Sequence, residues 1–144
     1  MLTRDEMKDV IRSTYLARVR EDADSAASAF SDQAVLQVNA GTIPGFGEPT
    51  KGRDAIRQAL VGFAKILRYE DWKEVALLVE DDKAAIRWQA KITCIENGRW
   101  HVFDCIDLVE FDGDQVTSLY HTLDTAALAS LFAPGVSAHE SNAA

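Results

Sequence analysis

The chain has 144 residues, the size of one domain that can bury a core without disulfides or a structural metal. Its 15 basic against 23 acidic residues give a formal charge of -8, which disfavours nucleic acid and anionic membranes as partners. No apolar run approaches the roughly 18 residues needed to span a bilayer, and Met1 to Lys8 is too charged to open a secretory signal, so a cytoplasmic protein is expected.

In chain order, residues 3–20 read as a helix with Met7, Val10, Ile11, Tyr15 and Val19 on one side. Residues 22–30 read as a short Ala-rich helix capped by Asp22 or Asp24. Residues 34–40 alternate as a strand. The stretch 41–50 holds three glycines and two prolines, and its length predicts a flap carrying Phe46. Residues 51–67 place Ile56, Leu60, Phe63 and Leu67 at helical spacing. Strands follow at 71–80, as a pair between 84 and 111 joined by Asn97-Gly98, and at 115–123, then a short helix at 124–132. From Pro134 the Ser, Ala and Asn content predicts a disordered tail. The pattern predicts a single α+β domain over 1–132, with three helices packed on one face of an antiparallel meander, and a tail over 133–144.

Asn97-Gly98 between two alternating runs is a strong signal for a two-residue hairpin turn. That turn pairs Cys94 with His101, Ile92 with Phe103, Ala90 with Cys105, and Trp88 with Asp107, all on one apolar face. Lys91 and Asp104 then oppose each other on the other face as an ion pair. An Asp81-Asp82 turn sets Val75, Leu77 and Val79 against Trp88, Ile86 and Ala84, which assigns Trp88 to the apolar face by a second route. Asp107 is therefore a carboxylate on an apolar face, where it must be paired, wetted by a cavity or protonated.

On the last strand His121 lies between the apolar Leu119 and Leu123. It shares the face of Asp107, Val109 and Phe111 if the connecting loop is odd in length, as in Asp112-Gly113-Asp114, or holds a bulge. The odd loop is preferred, with the two side chains offset by about two positions. Imidazole and a carboxyl beside an indole suit acid/base work, and a buried ion pair has the same pattern. Cys94 and Cys105 do not face each other, so they are read as buried thiols and not a disulfide. His101 is expected to be exposed. His101, His121, Asp104 and Asp107 could be nominated for a metal, but alternation sends Asp104 to the opposite face, so no metal is expected.

Taken together the layout resembles the cone-shaped domains of nuclear transport factor two-like proteins, and within them the SnoaL-like and ketosteroid isomerase-like groups. The resemblance is carried by Ala26-Ala27-Ser28-Ala29-Phe30-Ser31-Asp32-Gln33-Ala34, by Gly52-Arg53-Asp54-Ala55-Ile56, and by Ile106-Asp107-Leu108-Val109-Glu110-Phe111-Asp112-Gly113 running into Val116 and Leu123-Asp124. It implies that Asp107 matches an isomerase aspartic acid kept protonated to donate to an oxyanion. The partner tyrosine falls at Thr14, with Tyr15 one position on. The isomerase's basic aspartate falls at Val38, and the SnoaL-like acid/base position on the last strand falls at His121. The arginine and aspartate pattern of limonene epoxide hydrolases is not evident.

The resemblance implies an enzyme without metal or organic cofactor, an isomerase, cyclase or dehydratase acting on a small apolar carbonyl or polycyclic compound. Asp107, His121 and Tyr15 are its catalytic candidates, in a pocket walled by Trp88, Ile92, Phe103, Val109, Leu119, Leu123 and Phe46. A non-catalytic binder and a purely structural dimer are the alternatives. All three predict a homodimer through Trp100, Val102, Ile106 and Leu108, an apolar strip on the outer sheet face.

Overall fold

The computed structural model describes residues 1–41, 43 and 45–134. Helix α1 (Arg4–Val19) starts on a capping box, in which Thr3 accepts from the Glu6 N–H and Glu6 accepts from that of Thr3. This satisfies two amide donors that a helix start leaves open. Asp22 caps α2 (Ala23–Ser28). Strand β1 (Phe30–Val38) leads through residues 39–49 to the two-residue β2 (Thr50–Lys51) and α3 (Arg53–Ile66). Gly52, at φ +93°, gives α3 its entry angle; a Cβ there would stand 3.3 Å from the Asp32 carbonyl oxygen. Then come β3 (Leu67–Glu80), β4 (Lys83–Cys94), β5 (Trp100–Asp112), β6 (Gln115–Thr122) and α4 (Thr125–Phe132), the last capped by Asp124.

The strands form one curved sheet in the order β2-β1-β6-β5-β4-β3. It is the expected α+β cone with a short C-terminal helix, and its meander β3 to β6 is antiparallel. The addition is β1, which pairs parallel with β6 and sets Val38 beside His121. The core lies between the helices and one sheet face. Ala84, Ile86, Trp88, Ala90 and Ile92 of β4 and Phe103, Cys105, Asp107, Val109 and Phe111 of β5 are all buried there, the period-two signature of a one-sided sheet.

Element ends shift most at β1 and at the α3–β3 boundary, and Lys51, expected to open the third helix, lies in β2. Strand β1 starts at Phe30, before the expected residue 34, and ends at Val38. The expected third helix stops at Ile66, because Leu67 is already extended and opens β3 four residues early. Residues 42 and 44 of the expected flap, and 135–144 of the expected tail, lie outside the described residues.

The registers teach more. At the second hairpin Ile92 pairs with His101, Ala90 with Phe103, Trp88 with Cys105 and Ile86 with Asp107, two positions away from the expected pairing. The loop has four residues, 95–98, closed by bonds between Cys94 and Arg99 and between Gly98 and Cys94. Only Gly98 of the Asn-Gly pair has positive φ. The Asn97 side chain is engaged elsewhere, accepting from the Arg99 N–H and donating to the Leu131 carbonyl at the end of α4. A slip of two keeps every side chain on its face, so Asp107 still points inward. It does change the outer pairs. Asp104 meets Gln89, takes a bidentate bond from Arg87 at 2.9 and 2.7 Å, and leaves Lys91 over the Trp100 ring at 4.6 Å.

In β3 the irregularity between Glu74 and Ala76 puts Glu74 opposite Trp88. Val75 is correspondingly 41% exposed, while Leu77 and Val79 keep their expected partners. Between β5 and β6 the turn is even, with Asp112 paired to Gln115, and a bulge after Glu110 restores the parity. The bulge, not an odd loop, makes Asp107 and His121 direct cross-strand partners with no offset. His101, expected to be exposed, is half-buried with its ring edge against Phe103.

Candidate functional site

Asp107 is fully buried, and four donors converge on its two oxygens. Oδ2 accepts from the Tyr15 hydroxyl in a short bond and from Trp88 Nε1 at 2.9 Å. Oδ1 faces His121 Nδ1 at 2.6 Å and accepts from the Thr122 N–H at 3.2 Å. Burial pushes the carboxyl's pKa up, but the facing imidazole and the bonds from His121, Tyr15 and Trp88 outweigh it, and the net direction is down. The expected protonated acid is therefore not the form this site favours. Asp107 is built as an acceptor, with its lone pairs taken up by the protein.

Tyr15 is reached by α1, which lays its buried face (Met7, Ile11, Thr14, Tyr15) across the sheet. Burial, then the charge of Asp107 and the bond to it, push the phenol well above its ordinary value. It stays protonated and its hydroxyl points at Asp107. Thr14, where the resemblance places the oxyanion tyrosine, is turned to its own helix and donates to the Val10 carbonyl at 2.8 Å.

His121 is 4% exposed and stacks flat on Trp88, with ring centroids 5.5 Å apart. An ionised Asp107 requires the proton on Nδ1, which fixes the tautomer and leaves the Nε2 lone pair available. Among the described residues Nε2 has no hydrogen-bond partner. His121 lines a cavity with Arg18, Val38, Phe46, Phe63, Leu67, Tyr69, Ile92, Leu123 and Leu128. Its volume is about 20 Å³, room for about one water. A wider cavity of about 320 Å³, lined by Leu36, Glu48, Thr50 and Ile66 among others, lies beside it and shares Val38, Phe46 and Phe63. Phe46 stacks on Phe63 at 5.8 Å and leans on Phe132 at 5.7 Å, so its ring stands between the two spaces.

Of the residues expected to wall a pocket, Ile92, Leu123 and Phe46 line the cavity with His121. Trp88 backs the imidazole from behind. Phe103, Val109 and Leu119 do not line it; they are core residues, 0%, 1% and 3% exposed. Val38, Phe63 and Leu67 line it without having been expected on a pocket wall, and Arg18, Tyr69 and Leu128 are the cavity residues the sequence reading did not name. A signal was present, since Arg18 falls three positions after Tyr15 and seven after Ile11, on the stripe α1 buries. Among the described residues no group of three or more His, Cys, Asp or Glu side chains is placed to hold a metal ion, and no helix is long and apolar enough to cross a membrane.

On the outer face Val102, Ile106 and Leu108 are 52%, 51% and 54% exposed. Trp100 is half-buried under Lys91, and the Arg87–Asp104 pair interrupts the strip.

A helix-covered cone with a polar cluster on the inner wall of its sheet defines the broad nuclear transport factor two-like class. Within that class, the family model of the SnoaL-like domain matches residues 11–119, and the chain belongs to that family. No protein of curated function matches it. Among solved structures it is similar to a proposed isomerase from Bacillus subtilis at 14% identity, covering 92% of this chain and 96% of that one, with a TM-score of 0.82. It is also similar to TerC co-crystallised with polyporic acid, at 15% identity, 88% and 97% coverage and a TM-score of 0.76. A limonene epoxide hydrolase-like enzyme of M. tuberculosis is similar at 16% identity, 85% coverage of each chain and a TM-score of 0.69. Identities this low speak for the fold alone.

Proposed function

We propose that this chain is a cofactor-independent enzyme, an isomerase, cyclase or dehydratase, in which His121 exchanges a proton with a small apolar carbonyl or polycyclic compound. The observation that carries the reading is the Asp107–His121 pair. A buried carboxylate holding Nδ1–H orients the ring and stabilises the imidazolium that forms when Nε2 takes a proton. In this reading Asp107 and Tyr15 act through His121: Tyr15 and Trp88 anchor the carboxylate, and only the imidazole meets substrate. The position that holds a basic aspartate in ketosteroid isomerases is Val38 here. Val38 is the cross-strand neighbour of His121 and lines the same cavity, so a base on β6 serves the space that a base on β1 would have served.

Phe46, Ile92 and Leu123 would form the contact wall, with Trp88 fixing the imidazole plane. The outer strip of Val102, Ile106 and Leu108, with Trp100 at its end, would close a homodimer in the cytoplasm. A dimeric mass by light scattering that Leu108→Glu leaves unchanged would sink this strip as the interface, and a monomeric wild type would sink the dimer.

The test uses enolisable ketones and hydroxyquinones that keep a ring C–H beside the hydroxyl, with loss of the acidic C–H followed by proton NMR in deuterated buffer. The wild type should exchange at least one compound, and His121→Gln should lose roughly 10²–10⁴-fold in rate while still binding it. Binding without exchange by the wild type would favour a second reading, a non-catalytic binder of the same fold, and no binding of any compound would favour a purely structural dimer. The small volume around His121, about 20 Å³, speaks for the structural reading.

A further inference from the structure

Among the described residues on the His121 cavity, Arg18 alone carries a charge across the whole physiological pH range. Its guanidinium carbon sits 5.9 Å from the centre of the Tyr15 ring and 5.6 Å from that of Tyr69. Among the described residues no carboxylate stands within ion-pairing distance of it. Burial opposes its charge, but Tyr69, Tyr15 and the more distant Asp107 favour it, and the net direction of its pKa is up. The same side chain also lines a second small space toward the surface, with Val19, Glu21, Ala23, Ala26, Leu60, Phe63, Ala64, Leu67 and Tyr69. Glu21 is the acid of that wall; it is exposed and makes no ion pair with Arg18.

On the lining of the cavity itself the permanent charge is the cation of Arg18. Asp107 lies one layer behind; its oxygens are taken up by His121, Tyr15, Trp88 and the Thr122 amide, and its charge still favours that of Arg18. The Tyr69 phenol is held neutral by burial and lies beside the guanidinium, so it can donate to a guest. The other walls at this point, Val38, Leu67, Ile92, Leu123 and Leu128, are hydrocarbon. One permanent cation, one hydroxyl donor and apolar walls make a receptor for an anionic oxygen on an apolar skeleton.

We propose that the compound taken at this site carries an anionic oxygen group, a carboxylate or an acidic enol or phenol, seated on Arg18 and Tyr69, with its apolar part in the wider cavity of about 320 Å³ that shares Val38, Phe46 and Phe63 with the His121 cavity. The proposal rests on the reading of the His121 cavity as a small-molecule site and narrows the substrate class of that site. An enolisable group held there would present its C–H to Nε2, which takes the proton while the electron pair of that bond passes to the carbonyl oxygen. The positive charge of Arg18 would also favour the enolate that proton removal creates.

The test compares matched pairs on the full chain by titration calorimetry at neutral pH: benzoate against benzamide for the carboxylate source, and ionised 2-hydroxy-1,4-naphthoquinone against 1,4-naphthoquinone for the enol source. At least one anion should bind about tenfold tighter than its neutral partner. Arg18→Gln should remove that preference while leaving the neutral compound's affinity unchanged, and Arg18→Lys should keep part of it. Unchanged far-ultraviolet circular dichroism and melting temperature would show that the variants fold. Equal affinity within both pairs, equal weakening of anion and neutral compound by Arg18→Gln, or no anion binding at millimolar concentration overturns the proposal. Failure of the catalytic reading looks different: selectivity for the anion and its dependence on Arg18 persist while no compound exchanges its proton.

Discussion

Asp104 and Asp107 stand three residues apart on one strand, face opposite ways, and both have carboxyls held below their ordinary pKa. Asp104 is brought down to about 2 chiefly by the bonds from Arg87, against a desolvation penalty, with Gln89 adding to the shift. Its side chain is 43% exposed, water competes for every contact, and the pair with Arg87 is one the protein can do without. Asp107 has no water to fall back on. Burial opposes its charge, and that charge persists only because four donors from α1, β4 and β6 meet it. The same functional group is thus an ornament on one face of β5 and a keystone on the other, because desolvation sets the worth of each contact.

Removing the keystone should give the largest effect. Asp107→Ala leaves the Tyr15 hydroxyl, the Trp88 N–H and the His121 Nδ1–H buried without an acceptor. It should cost about 3–5 kcal/mol of stability, the range for breaking a buried pair from one side, measured by urea unfolding. A loss under about 1 kcal/mol would mean that Asp107 is no more essential than Asp104.

The pH dependence follows from the same carboxylate. Its folded pKa is depressed, so it contributes stability that is present above the unfolded value, near about 4, and is lost as pH falls through that value toward the lower folded one. Wild-type stability should therefore drop steeply across this acid range. Asp107→Asn should flatten the drop, and Asp104→Asn should flatten it far less because solvent screens that pair. Similar slopes for the two variants would erase the distinction between the faces.

Trp88 and Trp72 offer a narrower contrast. Both indoles stand near Tyr15, but Trp88 donates to Asp107 while the Trp72 N–H is buried with no partner among the described residues. Replacing each with Phe removes a similar volume, so the difference between the two isolates the hydrogen bond. Trp88→Phe should be the more destabilising by about 1.5–3 kcal/mol, the worth of a bond to a charged group. Equal losses would mean that the indole's bond to Asp107 contributes nothing.

The two faces also differ in how far the chain's sequence announces them. That Asp107 points inward follows from period two alone, which a slip of two residues cannot disturb, so the wrong hairpin register still led to the right face. The register itself depended on Asn97 reaching Leu131, a contact with an element more than thirty residues later that no local turn rule contains. His121 opposite Asp107 depended on a bulge after Glu110, and the parallel pairing of β1 with β6 depended on closure of the whole sheet. Arg18 was missed because a long charged side chain reads as solvent-facing even on a buried stripe. Only the packed structure shows its guanidinium turned inward, with two tyrosine rings beneath it.

The smallest expected effect concerns the outer face. A double-mutant cycle on Arg87 and Asp104 isolates their pairing from whatever each side chain does alone. The bidentate geometry at 2.9 and 2.7 Å is as good as such a pair can have, yet both partners are more than 40% exposed. The coupling should come out at about 0–1 kcal/mol and shrink further as salt is added. If the outer strip of Val102, Ile106 and Leu108 is covered by a second copy of the chain, Arg87 and Asp104 are covered with it and lose the water that weakens them. A coupling well above about 1 kcal/mol, insensitive to salt and falling on dilution below the dimer's dissociation constant, would move this pair into the same class as Asp107. It would also identify the face as an interface without any structure of the complex.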